Sequence, residues 1–182
     1  MTPEIAKRRL ILLRHAKSAW PTGVDDHERP LAKRGEKAAP LLGKYLSGKG
    51  LRPDLALVSD AMRTRETWKL VRAAFSPPPS ERFVADLYDA SAVDMLRVVR
   101  TTEPTVRTLL LVGHNPGLQE LALELAGGGD EPARIAMRDK FPTAAVAVID
   151  FSTGAWEEIA AGGGELERFV TPGSLAKGGS GR

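Results

Sequence analysis

Two histidines, each closing a short apolar run, constrain this chain more than any other feature. Leu10-Ile11-Leu12-Leu13 leads into Arg14-His15-Ala16, and Leu109-Leu110-Leu111-Val112-Gly113 leads into His114. Apolar runs of this length read as strands buried on both faces, as in a parallel sheet. In open α/β sheets the carboxyl ends of such strands border the crevice where ligands bind. The chain has 3 histidines in 182 residues, so two at strand ends are not a by-product of composition.

The rest of the pattern alternates strand-like and helix-like segments, which predicts an α/β sandwich. Strands are expected over about 9–14, Leu55–Val58, Arg82–Val84, Leu109–Gly113 and Thr143–Phe151, with edge strands at Trp156–Ala160 and Glu167–Val170. Helical spacing appears from Gly35 to Leu46, where Pro40 is expected to kink the helix or displace its start. Ser59-Asp60 reads as the N-cap of a helix reaching about Phe75, and Ser91 opens another to about Thr101. Asn115-Pro116-Gly117 has the signature of a helix start, with Asn as cap and Pro in the first position. The runs Gly127-Gly128-Gly129 and Gly162-Gly163-Gly164 read as turns. The expected organisation is an extension over 1–8, one domain over 9–172 and a mobile Gly/Ser/Lys tail over 173–182.

Composition narrows the chemistry. The absence of cysteine excludes disulfides, cysteine nucleophiles and zinc–thiolate sites. A net charge of +3 suits an anionic substrate, but no basic block interleaved with aromatics suggests a nucleic-acid surface. No run approaches the roughly 18 apolar residues of a membrane span, and residues 1–9 lack a signal-peptide core. The expectation is a cytoplasmic protein with no membrane or nucleic-acid partner. Without a heptad seam, a monomer is expected.

Three segments suit a phosphoryl group. Arg14 offers a planar, always-charged fork, and a neutral His15 is a competent nucleophile near pH 7. Arg63 projects from the first turn of a helix whose N-terminus already favours anions, one turn from Thr67. His114 precedes a second helix start and can donate to a phosphoryl oxygen. Each segment alone has a plainer reading. His15 could be hydrogen-bonded in its loop, Arg63 paired with Glu66 or Asp60, and His114 bonded to a strand-end carbonyl.

Leu13-Arg14-His15-Ala16-Lys17-Ser18, Ser59-x-x-x-Arg63-Thr64-x-x-Thr67 and Val112-Gly113-His114-Asn115 together resemble the histidine phosphatase superfamily. Arg-His-Ala, the His-Asn-Pro second histidine and the small size are similar to its SixA-type phosphohistidine phosphatases. The resemblance, over about 9–172, implies a three-layer αβα sandwich around a mixed, mostly parallel sheet. It implies His15 as the phosphorylated nucleophile, Arg14, Arg63 and His114 completing the phosphate pocket, and Ser18 as a pocket contact. No metal or organic cofactor is implied.

Expelling an alkoxide from a phosphate ester requires a proton donor, whereas an imidazole nitrogen leaves with little help. Mutase-like relatives carry a glutamate after the third strand; here the matching stretch is Leu87-Tyr88-Asp89, which makes Asp89 the candidate acid. Acid-phosphatase-like relatives place an Asp after the second histidine, where this chain has Asn115. Asp89 could equally be a solvated cap ahead of Ser91, and Asp25 and Asp26 are further loop carboxyls. His27, within Asp26-His27-Glu28-Arg29, is expected to be solvent-exposed. The leading expectation is a phosphatase acting on phosphohistidine of a protein partner through a phosphorylated His15. The alternatives are a phosphomonoesterase on a small phosphorylated metabolite, or a non-catalytic binder of phosphorylated ligands.

Overall fold

The structure is a computed structural model and describes residues 6–178. Its seven strands form one sheet in the order β3-β2-β4-β1-β6-β7-β5. The four-stranded parallel half contains β1 (Arg8–Arg14), β2 (Leu55–Ser59), β3 (Ser80–Val84) and β4 (Thr108–Gly113). β6 (Val146–Phe151) runs antiparallel to both β1 and β7 (Gly164–Val170), and β5 (Ala126–Gly129) pairs parallel to β7 at the edge. The mixed, mostly parallel sheet expected from the sequence is therefore present.

The apolar strands alternate between two cores, as a pleated strand must. Leu10 and Leu12 face one core, packed with Met95, Leu118, Leu121 and Met137. Those side chains come from α3 (Ala92–Arg100), α4 (Gly117–Leu125) and α5 (Glu131–Asp139). Ile11 and Leu13 face the other, packed with Leu42, Leu46, Trp68 and Val71 of α1 (Lys33–Gly48) and α2 (Met62–Arg72). Helices on both faces complete the αβα sandwich. No described helix is long and apolar enough to cross a membrane.

Several local expectations change. Helix α1 runs through Pro40 unbroken, at the cost of one backbone hydrogen bond. The segment Trp156–Glu158 is a single 3-10 turn instead of an edge strand. Its cause is Trp156, which is buried and donates its indole N–H to the Val106 carbonyl at 2.7 Å. Helix α5 was not anticipated, although Asp130 caps it by accepting the Ala133 N–H at 2.7 Å and Pro132 stands in its first turn. Residues expected to begin a mobile tail form α6 (Pro172–Gly178), capped by Thr171 Oγ1 accepting the Ser174 N–H at 3.1 Å. Leu175 of that helix packs on the second core. Residues 1–5 and 179–182 of the expected extension and tail lie outside the described residues.

The run Gly127-Gly128-Gly129 forms most of β5 and is not a turn, whereas Gly162, at φ +73°, does turn the chain into β7. A Cβ on Gly127 would stand 2.2 Å from the Gly162 carbonyl oxygen, so the two backbones touch where only glycine fits. Gly127→Ala should lower stability by about 1–3 kcal/mol, the usual range for overpacking. Gly128→Ala, with nothing nearer than the Glu165 side chain at 3.8 Å, should be tolerated. Thermal unfolding of the two variants checks the contrast.

Candidate active site

The parallel pairing of β1 with β4 sets Arg14 opposite Gly113, so His15 and His114 emerge side by side from one end of the sheet. Their ring centroids lie 5.4 Å apart. The main chain turns at once after β1. His15 N–H donates to the Gly113 carbonyl at 3.3 Å, and the Arg14 and His15 carbonyls both accept the Ala144 N–H. This turn lets Arg14 and His15 converge on a cavity of about 190 Å³ that Ser18, Arg63, Asp89 and His114 also line. All six candidate residues therefore meet at one place.

His15 is 8% exposed and its Nδ1 lies 2.8 Å from the Ala16 carbonyl oxygen. A carbonyl can only accept, so Nδ1 carries the proton and Nε2 keeps its lone pair. Burial, followed by the charges of His114, Arg63 and Arg14, holds the ring's pKa down to about 3. The imidazole is thus neutral across the physiological range. The loop hydrogen bond of the plainer reading is present, and it leaves Nε2 as the unprotonated nitrogen.

His114 does not serve a strand-end carbonyl. Its Nε2 lies 2.7 Å from Ser59 Oγ, and its buried Nδ1 has no partner. Ser59 Oγ accepts the Ala61 N–H at 3.5 Å, and His114 Nε2 is the one acceptor recorded within reach of its own proton; with that proton given to Nε2, Nδ1 is the N–H of the ring. A buried donor without an acceptor is costly, and an anion in the cavity would satisfy it. Burial, with Arg63 next, brings the His114 pKa down to about 4.

Arg63 pairs with neither Glu66 nor Asp60. Glu66 accepts the Leu31 N–H at 2.7 Å, and Asp60 is taken by His27. The Arg63 guanidinium instead reaches the Asp26 carbonyl at 2.8 Å and the Asp26 carboxylate at 3.1 Å. Arg14 is held by the Phe141 carbonyl at 2.9 Å. The Asp26 carboxylate also accepts from Tyr88 OH at 2.5 Å and Arg29 at 2.9 Å. Those partners, Tyr88 foremost, hold it well below the usual carboxylate range, so it is an ionised strut and no proton donor. Asp89 sits exposed on the rim of the cavity at φ 52°. Its segment is held close because Gly117, where a Cβ would stand 2.1 Å from the Ala90 carbonyl oxygen, lets α4 approach it.

Comparison with known proteins places the fold in a family. The sequence model of the histidine phosphatase superfamily (branch 1) matches residues 10–87. A protein of Nakamurella multipartitia described as a "putative phosphohistidine phosphatase SixA" superposes with a TM-score of 0.79 at 30% identity, covering 91% of this chain and 96% of that one. This chain belongs to the histidine phosphatase superfamily. The protein described as the "putative phosphohistidine phosphatase SixA" of Agrobacterium tumefaciens superposes at a TM-score of 0.75 and 29% identity, over 91% of this chain and 98% of that one. An uncharacterised protein of Mycobacterium tuberculosis is 37% identical over 162 residues, 88% of this chain and 99% of its own length. Membership makes the protein a phosphatase, a hydrolase of phosphorylated substrates.

The histidine phosphatase motif also carries residues whose task is framing. Thr67 Oγ1 donates to the Arg63 carbonyl at 2.6 Å and accepts the Ala16 N–H at 3.0 Å, tying α2 to the His15 turn. Thr64 Oγ1 donates to the Ser59 carbonyl at 2.7 Å. Ser59 was expected as a helix cap, but the N-cap position is Ala61, and the Ser59 hydroxyl is used by His114. Pro116 occupies the N-cap of α4 in place of Asn115, whose Oδ1 still accepts the Gln119 N–H at 3.2 Å. Arg29 escaped sequence reasoning altogether: it is buried, lines the cavity and donates to Ser18 Oγ at 2.5 Å. Only its place in a charged loop was visible, and many surface arginines share that. Among the described residues no group of three histidine, aspartate or glutamate side chains is arranged to hold a metal ion.

His27 is half-buried instead of free in solvent, bridging Asp60 and Glu28 at 2.9 Å each. Those two carboxylates, Asp60 first, raise its pKa. The three histidines should therefore separate in an NMR titration. At about pH 5.5, below the ordinary value of about 6.5, His27 should be protonated while His15 and His114 remain neutral. A His15 ring that titrates near 6.5 in the free enzyme would contradict the burial argument.

Proposed function

We propose that the protein removes the phosphoryl group from phosphohistidine on a protein, with His15 as the nucleophile. The observation that carries this reading is the neutral, buried His15 ring, anchored through Nδ1–H to the Ala16 carbonyl. Its Nε2 lone pair serves a cavity shared with Arg14, Arg63 and His114. In the first step Nε2 attacks phosphorus in line and the P–N bond to the substrate imidazole breaks. The bonding pair stays with the departing nitrogen, and a proton on the far ring nitrogen lets the leaving group depart as neutral imidazole. Water then attacks phosphorus, the bond to His15 breaks, and the water proton leaves with inorganic phosphate.

Arg14 and Arg63 neutralise the equatorial oxygens, and His114 Nδ1–H donates to one of them as charge builds. Ser18, fixed by Arg29, supplies a further contact at the edge of the phosphate site. The phosphoramidate preference is supported by the scarcity of acid. Among the described residues Asp89 is the one carboxyl side chain lining the cavity, and it is exposed. A second reading, a phosphomonoesterase on a small metabolite, is favoured by the same residue, since an exposed carboxyl on the rim can reach a leaving oxygen.

The deciding experiment compares hydrolysis of a phosphohistidine-bearing protein with that of alkyl phosphate esters, using His15→Ala as the blank. Preference for the phosphoramidate, with Asp89→Asn nearly silent, is expected. Preference for the esters, with Asp89→Asn damaging only for poor leaving groups, would establish the second reading. His15→Ala should abolish turnover without changing the unfolding temperature appreciably, and Arg63→Ala should slow it by about 10²- to 10³-fold. Quenching the wild-type reaction with alkaline denaturant should trap an acid-labile, base-stable phosphoryl group that His15→Ala lacks.

A further inference from the structure

Of the 3 tryptophans in the chain, Trp68 and Trp156 are buried, whereas Trp20 is 75% exposed. An indole is the largest apolar ring a chain can bury, so leaving one in water forgoes much of that gain. Trp20 is not a loose surface residue. It lines the same cavity as His15 and His114. The guanidinium carbon of Arg29 stands 3.2 Å from the centroid of its ring. Arg29 is itself fixed, donating to the Ala19 carbonyl at 3.0 Å, the Asp26 carboxylate at 2.9 Å and Ser18 Oγ at 2.5 Å. One face of the indole is thus backed by a buried, fully engaged cation, while most of the ring remains accessible at the mouth of the cavity.

We propose that Trp20 is a stacking platform for the planar ring that carries the phosphoryl group, the N-phosphoimidazole of phosphohistidine. It would thereby select ring-bearing over ringless phosphoramidates. This rests on the proposed reading of the site. The geometry favours a flat partner because the accessible part of the residue is a flat aromatic surface, and its backing by Arg29 leaves little freedom to lose on binding. A ring bonded to phosphorus has to emerge through the mouth of a cavity of about 190 Å³, where Trp20 forms part of the wall. The platform lies beside the phosphate site and takes no part in bond making, so its contribution falls on binding and hence on KM more than on kcat.

The test measures kcat and KM for wild type, Trp20→Ala and Trp20→Phe on free N-phosphohistidine and on phosphoramidate, which has the same P–N bond and no ring. Trp20→Ala should lose about tenfold in kcat/KM on phosphohistidine, mainly through KM. It should stay close to wild type on phosphoramidate, and Trp20→Phe should recover most of the loss. A second readout needs no turnover. Because the other two tryptophans are buried, acrylamide quenching reports on Trp20, and in His15→Ala it should be reduced by phosphohistidine but not by phosphoramidate. Equal losses on both substrates, or none on either, would overturn the platform while leaving the phosphohistidine reading standing. A wild-type enzyme that hydrolyses neither P–N compound would overturn the platform, and one that also fails on a phosphohistidine-bearing protein would overturn the phosphohistidine reading with it.

Discussion

Parallel pairing between β1 and β4 is the constraint on which the site depends. Two strands in register, hydrogen-bonded from Arg9 and Thr108 to Arg14 and Gly113, deliver two imidazoles to one end of the sheet. Neither histidine needs a long loop to find the other. What remains is to aim them, and the chain does so with main-chain and hydroxyl groups: the Ala16 carbonyl for His15, and Ser59 for His114. Helix α2 then joins the assembly through Thr67, so Arg63 and the turn after His15 belong to one hydrogen-bonded unit.

The electrostatics are those of a cationic cavity kept from overcharging itself. Arg14, Arg29 and Arg63 all line it, and protonating either histidine there would add a further positive charge in a poorly hydrated place. Both rings stay neutral for that reason, and neutrality suits a nucleophile on one side and a hydrogen-bond donor on the other. Asp26 balances part of the charge from outside the cavity, holding Arg29 and Arg63 together from a loop. The positive field that remains is available to a phosphoryl group.

How much of this was legible in the sequence depended on the range of the interaction. The buried strands were, because their apolar runs are local, and so were His15, His114, Arg14 and Arg63, which lie in contiguous motifs. Elements decided by distant contacts were not. Trp156 looked like strand and became a turn because its indole is claimed by Val106, fifty residues away. The Gly127 run looked like a turn and became a strand because it pairs with β7, nearly forty residues on, and Gly162 presses against it. Arg29 and Tyr88 carried no local signal and Asp26 read only as a further loop carboxyl, since their worth lies in meeting one another across the fold. Helices α5 and α6 are different: their caps, Asp130 and Thr171, stood in the sequence unread.

The Ala16 carbonyl has one further consequence. By fixing the proton on Nδ1 of His15, it would determine, in the proposed mechanism, which of two chemically distinct phosphohistidine isomers forms, the one substituted at Nε2. That acceptor belongs to the main chain, so no change of side chain at position 16 deletes it. The selection of isomer is therefore insulated from mutation, whereas the orientation of His114 hangs on a single hydroxyl that one base change could remove.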